Sequence, residues 1–295
     1  QDFAFLSTRP AVVTAGRFGG GGGQGGEFVA PNYTEDAVIS YYLKDRVNTG
    51  DVRIEIYDQN GKMLYDMPGS KRKGINKIYW NMRMKPPKAS ETGAALDYGG
   101  FMSPLVQPGD YTIKVKVNDQ VHEAKLSLIE DPNSPFTLEE RQLSRSSSRQ
   151  LFNLIEEFSF NTQQLVDIQN KLKLNLPAIK NSGDKKLLED YNNKLEVIRK
   201  TMVATKTGTA ITGEEKMREK LTKLFGEICY FEGRPTEYQM VRMRGFSDEI
   251  TTKAKEISVV NDANLVKVNK ILVKNGKPPI SLLTKEGWNG DKVKP

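Results

Sequence analysis

Between Asp51 and Val117 the chain alternates apolar and polar residues. Val52, Ile54 and Ile56 are interleaved with Arg53, Glu55 and Tyr57, so one face of a strand is apolar. Ile78 and Trp80 repeat the pattern, as do Tyr111, Ile113, Val115 and Val117. Asn60-Gly61 supplies positive φ angles for a tight hairpin turn, Pro108-Gly109 reverses the chain, and Asn118-Asp119 marks another turn. The spacing predicts strands near 37–44, 51–57, 62–67, 75–82, 111–117 and 121–129. Six short strands with turn signals between them imply a small antiparallel β-sandwich over residues 28–133. A domain of that kind usually holds, spaces or binds rather than catalyses.

After Asp131-Pro132-Asn133-Ser134-Pro135 the period changes from two to 3.6. Thr137-x-x-Glu140 is a capping box, and the helix behind it runs to about Asn175, because Pro177 restricts Leu176. Its apolar stripe is Leu151, Ile155, Phe158, Leu165, Ile168 and Leu172. A second helix starts near Asp184 and carries Leu188, Tyr191, Leu195, Ile198 and Met202. A third follows Thr212-x-x-Glu215 with Met217, Leu221, Leu224 and Ile228. A fourth opens at Thr236-x-x-Gln239, carries Met243, Phe246, Ile250, Ile257, Leu265, Val268 and Leu272, and stops at Asn275-Gly276. Two long and two short amphipathic helices over residues 134–275 predict an antiparallel helical bundle. Residues 276–295 form a tail that Trp288 is expected to anchor.

Residues 1–27 read as a lead-in and a Gly-rich linker. Phe3-Ala-Phe-Leu6 has the look of the tail of an upstream strand, and Gly19 to Gly23 is an unbroken glycine run. A phosphate-cradling loop would need a helix behind it and, in its Walker form, Lys-Ser or Lys-Thr; here Glu27-Phe28 follows. The linker reading is therefore preferred, with early protease cutting expected between Arg17 and Phe28. The segment from Lys85 to Gln107 is long and irregular. A loop of that length is either functional or packed on a neighbour. Asp97, Tyr98, Phe101 and Met102 in it are the candidate interaction residues.

The order strand-Tyr57-Asp58-x-x-Gly61, then Gly74-x-Asn76-x-x-x-Trp80-x-x-Arg83, then Pro108-Gly109-x-Tyr111 resembles the immunoglobulin-like module named after the flagellar hook-capping protein. With Phe28-Val-Ala-Pro-Asn32 and Ala37 to Lys44 upstream, and a helical tail downstream, the chain is similar to the C-terminal region of bacterial, Bacteroidetes-like, sortilin-type BNR-repeat propeller proteins labelled glycosyl hydrolases. The resemblance spans Glu27 to Trp288 and is thinner over the helices. Many members have Trp-Asp where this chain has Trp80-Asn81, so a carboxylate is absent there. The resemblance implies an immunoglobulin-like sandwich, a secreted or cell-envelope location (periplasm or outer-membrane surface), and a piece of a longer chain with a propeller ahead of Gln1. The implied partner is that propeller or another envelope protein, with a glycan as a further possible ligand.

Composition changes this picture little. The 295 residues carry 27% charged and 37% hydrophobic side chains, which fits two or three globular domains. No run of about 18 apolar residues is present, so no membrane-spanning helix is expected. The formal charge of +7 lies entirely in residues 134–295, where 28 basic face 21 acidic side chains. It is spread out, and the one basic triplet, Lys71-Arg72-Lys73, sits in the neutral half without a stripe of stacking aromatics. Nucleic acid is therefore not an expected partner.

Candidate chemistry is sparse. His122 is the single histidine, on the strand face of Ala124, Leu126 and Leu128, with no Gly-x-Ser-x-Gly elbow; it reads as a satisfied strand histidine. Cys229 is the single cysteine, on an apolar helix face, and makes no internal disulfide. Metal sites of histidine and cysteine are excluded by count. Carboxylates for glycoside hydrolysis would have to come from Asp97, Glu156-Glu157 or Glu214-Glu215. Asp58-Gln59-Asn60-Gly61 resembles the start of a calcium loop but is explained by the hairpin. Tyr41, Tyr42, Tyr57, Tyr65, Tyr79 and Tyr98 are the residues from which a sugar platform would be built. No catalytic residue, cofactor or metal is expected. The preferred reading is a non-catalytic structural or interaction region; the alternatives are a carbohydrate- or peptide-binding module, or a hydrolase fragment whose site lies in an absent propeller.

Overall fold

The computed structural model describes residues 2–7, 9–15, 35–90, 102–206 and 214–290. The described residues have mixed α and β content: two sheets and four helices longer than seven residues. The strands are β1 (Phe3–Phe5), β2 (Ala11–Val13), β3 (Ala37–Leu43), β4 (Val52–Tyr57), β5 (Met63–Pro68), β6 (Gly74–Trp80), β7 (Gly109–Val117) and β8 (Gln120–Glu130). One sheet has the order β1-β3-β6 and is antiparallel throughout; the other curls in the order β2-β8-β7-β4-β5.

Most of the period-two residues turn inward as the sequence predicts, while Ile78 and Val117 are half-buried. Val52, Ile54, Ile56, Ile113, Val115, Leu126, Leu128 and Trp80 are all buried. Rings carry the apolar contact from sheet to sheet: Trp80 meets Tyr111 edge-on at 5.9 Å, and Phe3 stacks on His122 at 3.9 Å. Gly69 is needed for a close approach, since a Cβ there would lie 2.5 Å from Val52 Cγ1.

Several expectations change. Residues 1–27 are not wholly a lead-in. Phe3-Ala-Phe5 is a strand of this chain's own sheet, pairing with β3 in the register Phe3–Leu43 to Phe5–Tyr41. Ala11–Val13 is a further strand and pairs with β8 in parallel, so the second sheet is not purely antiparallel. Three-residue strands carry too little alternation to be read as such. In the β4–β5 hairpin only Gly61 takes a positive φ (74°); Asn60 does not, because Asp58 Oδ1 accepts the N–H groups of Asn60 and Lys62 and sets the turn. The glycine run lies outside the described residues.

The helices are α1 (Leu138–Asn175), α2 (Ser182–Met202), α3 (Met217–Cys229), α4 (Glu237–Lys274) and the short α5 (Lys285–Gly290), with a 3₁₀ turn at Leu176–Ala178. Thr137 and Glu140 form the expected reciprocal cap on α1, and Thr236 with Gln239 does so on α4. Gly276 (φ 69°) follows the end of α4. The apolar stripes are buried at all expected positions save Leu265, which is half-buried. For α3 the start moves: Thr212 lies outside the described residues and Glu214-Glu215 precede the helix, which begins at Met217.

The described chain divides into two compact units that interleave along the sequence. Unit 1 holds residues 1–86, 103–148 and 228–235; unit 2 holds 87–102, 149–227 and 236–295. The expected boundary at residue 133 falls inside unit 1, which takes the first turns of α1 and the α3–α4 connection. In unit 2, Tyr191 on α2 donates to Asn261 on α4 at 2.8 Å, and Lys274 near the end of α4 pairs with Asp184 near the start of α2. The tail is pinned by side-chain amides: Asn269 bonds both backbone groups of Ile280, and Gln164 donates to Leu283 O. Trp288 is buried beneath Lys88, whose Nζ sits 3.8 Å over the ring.

Candidate interaction site

Of the four candidate loop residues, Asp97, Tyr98 and Phe101 lie outside the described residues, and Met102 is half-buried. The other chemistry-bearing residues are placed apart from one another. His122 is held by its stack on Phe3, and its Nε2 has no hydrogen-bond partner among the described residues; it is packed rather than hydrogen-bonded. Glu156 accepts from Lys88 N, while Glu157 is exposed. Glu214 accepts from the backbone and hydroxyl of Thr205, and Glu215 is exposed. Tyr41 is buried and donates to Ser70 O; burial pushes its phenol up to about 12. Tyr57 donates to Glu55 at 2.6 Å, and that bond, with burial, pushes it up to about 12. Tyr42 and Tyr65 are half-buried, and Tyr79 is half-exposed on the outer face of β6.

The convergence of buried polar groups is instead in unit 1, around Arg83. Trp80 Nε1 donates to Arg83 O at 2.9 Å, which orients the residue that follows β6, and Met82 between them takes a positive φ of 54°. Arg83 is 9% exposed. It donates to Ser103 O (2.7 Å), Ala15 O (2.9 Å) and Cys229 O (3.3 and 3.4 Å). Cys229 ends α3, where backbone carbonyls lack helical partners, so a cation is well placed there. Three stretches far apart in sequence are thus tied by one side chain.

A second tie lies beside it. Glu232 accepts the backbone N–H of Ala15, and burial holds its carboxyl above the usual range despite nearby Arg145 and Arg141. Arg145 makes a two-pronged bond to Glu130 at 2.7 and 2.9 Å, and Arg141 joins the same carboxylate. Ser144 donates to Phe231 O, and Ser144, Ser147 and Ser148 are buried. Ser144 meets a backbone carbonyl rather than an apolar side chain, which is why periodicity does not reveal the contact. Arg83 stands in a quoted motif, but nothing in that motif says its partners are backbone carbonyls.

Cys229 is 5% exposed and its thiol is pushed up to about 12 by burial. It is a packed thiol. Among the described residues no group of three His, Cys, Asp or Glu side chains is placed to hold a metal ion, and no helix is long and apolar enough to cross a membrane. In unit 2 a groove of about 610 Å³ runs between α1 and α2, with Gln169, Asn170, Asn192 and Asn193 along it. Glu196 there takes both prongs of Arg199 at 2.7 Å, and this bond holds its carboxyl below the usual range. No known protein-family profile matches this chain, and no curated protein matches it significantly.

Proposed function

We propose that this chain is a non-catalytic structural and interaction region: an immunoglobulin-like sandwich joined to an antiparallel helical bundle, bracing a propeller or docking a partner in the cell envelope or outside the cell. The observation that carries the reading is how the signature residues are used. Trp80 and Arg83, the most distinctive pair of the motif, spend their hydrogen bonds on backbone carbonyls. His122 and Cys229, the residues most suited to catalysis, are packed against Phe3 and inside the apolar interior. Arg83 and Glu232 both grip Ala15, which lies just past β2, so the N-terminal strand segment is clamped to the rest of unit 1 in two places. A clamp of that kind suits a support that must keep its geometry when the chain ahead of it is loaded.

The test is the intact mass of the native protein. We expect a chain much heavier than 33.2 kDa, with a propeller-sized segment ahead of Gln1 whose melting temperature drops when this region is removed. A native chain beginning at Gln1 would overturn the bracing role. Turnover of a polysaccharide or peptide by the purified region, lost on Asp97→Asn, would overturn its non-catalytic character.

A further inference from the structure

Among the described residues the four sheet edges are not alike. β1 and β2 are three residues long, and β5 ends in Pro68 and pairs with β4 through a register shift at Ile56/Tyr57. Short strands, prolines and bulges are the usual ways of closing an edge to further pairing. β6 has none of them. It is the last strand of its sheet and pairs with β3 over seven consecutive residues, Gly74–Leu43 to Trp80–Ala37, with no shift. Among the described residues no backbone hydrogen bond reaches β6 from the side away from β3.

Its outer face is apolar at both ends and cationic in the middle. Ile75 is 65% and Tyr79 51% exposed, backed by Tyr42 and Val38 directly opposite on β3. Between them stands Lys77, exposed and without an ion-pair partner among the described residues. Arg72, just ahead of the strand, is likewise exposed and without an ion pair among them. A long, regular edge with exposed apolar residues can pair with another strand, and a central lysine opposes indiscriminate pairing. Lys77 selects what can pair. A second copy of β6, laid antiparallel about its centre, would set Lys77 against Lys77, and like charges directly opposite are unfavourable. A slip of two residues would set it against Ile75 or Tyr79. An acid flanked at two-residue spacing by apolar residues satisfies all three positions.

From these features we infer that β6 accepts, by strand addition, an extended segment of a partner protein with an apolar-x-acidic-x-apolar face. This rests on the docking half of the function proposed above and names its surface and partner chemistry.

The experiment uses the whole chain, isotope-labelled, and the capped peptide Ser-Val-Thr-Glu-Thr-Val-Ser beside a counterpart with Lys in place of Glu. The expected result is amide shifts centred on residues 75–79 with the Glu peptide and about threefold to tenfold weaker binding of the Lys peptide. In Lys77→Glu the preference should invert. Equal binding of the two peptides, shifts elsewhere, or no shifts at millimolar peptide would overturn the proposal. So would shifts of Tyr42 and Tyr79 with a neutral oligosaccharide and none with either peptide, since the face would then be a glycan platform. Independently, Lys77→Val should self-associate in sedimentation experiments; a variant that stays monomeric at high concentration would mean the edge is closed. The intact-mass test is untouched by any of these outcomes, so the bracing role stands or falls separately.

Discussion

Single residues carry more of unit 1 than their number suggests. Trp80 is 1% exposed, packs on Tyr111 and donates to Arg83 O. Trp80→Ala should cost about 3–5 kcal/mol, read from denaturant unfolding. Arg83 cannot be replaced by lysine, whose ammonium lacks the planar fork that reaches three carbonyls. Arg83→Lys should cost about 2 kcal/mol or more, since hydrogen bonds to a charged group are each worth about 1.5–3 kcal/mol; an unchanged melting curve would refute the staple. Two carboxyls should tilt stability against pH in opposite senses. Glu232 is raised by burial, so the folded state binds its proton more tightly than the unfolded one. Its contribution is full in acid below the ordinary carboxylate range and is lost as pH rises through the raised value. Glu55 is buried, which alone would raise it, but bonds from Lys116 and Tyr57 hold it low. Its contribution is present above the ordinary range and is lost as pH falls through the lowered value. Glu232→Gln should therefore remove a falling limb above the ordinary carboxylate range, and Glu55→Gln a rising limb below it, each seen as a changed slope of melting temperature with pH.

At the scale of elements, capping and turn chemistry decide the boundaries. Thr236 and Gln239 satisfy each other's backbone N–H groups at the start of α4. Thr236→Ala should cost about 1 kcal/mol, checked by thermal unfolding. Gly69→Ala should cost more than a turn glycine such as Gly61, because its new methyl meets Val52 within the core, whereas a Cβ at Gly61 meets nothing and only its φ is strained. The longer helices and the six longer strands are legible in the sequence because each repeats its period several times. β1 and β2 were not, because a three-residue strand is defined by its partner. The start of α3 lies at Met217, where Glu219 accepts the backbone N–H of Lys216.

For the whole molecule, the interleaving of the two units matters most. Arg141, Ser144 and Arg145, on the opening turns of α1, find their partners at Asp131, Phe231 and Glu130. Residues 1–133 expressed alone would keep Glu130 and Asp131 but lose the Arg141 and Arg145 that pair with them, and the carbonyl of Cys229 that Arg83 uses. We expect that fragment to lose cooperative melting, or to melt about 10 °C or more below the full chain; calorimetry of the fragment decides. Cys229 offers a further check. Its thiol, pushed up to about 12 and buried, should stay silent to a disulfide reagent until the protein unfolds.

The sequence by itself determined which residues face inward, because burying one face of a periodic element is a local consequence of strand and helix geometry. It also determined that the chain has one histidine and one cysteine, a matter of count. Tertiary structure decided which long-range partners the polar residues take. Arg83 to Ala15 and Cys229, Glu232 to Ala15, and Arg145 to Glu130 join residues whose pairing no spacing encodes. It also decided that β6 lies at an edge, so that Ile75, Lys77 and Tyr79, which read as an ordinary half-buried strand, are left facing outward. The reason is physical: periodicity specifies the face a residue is on, while only the folded chain specifies what stands opposite that face.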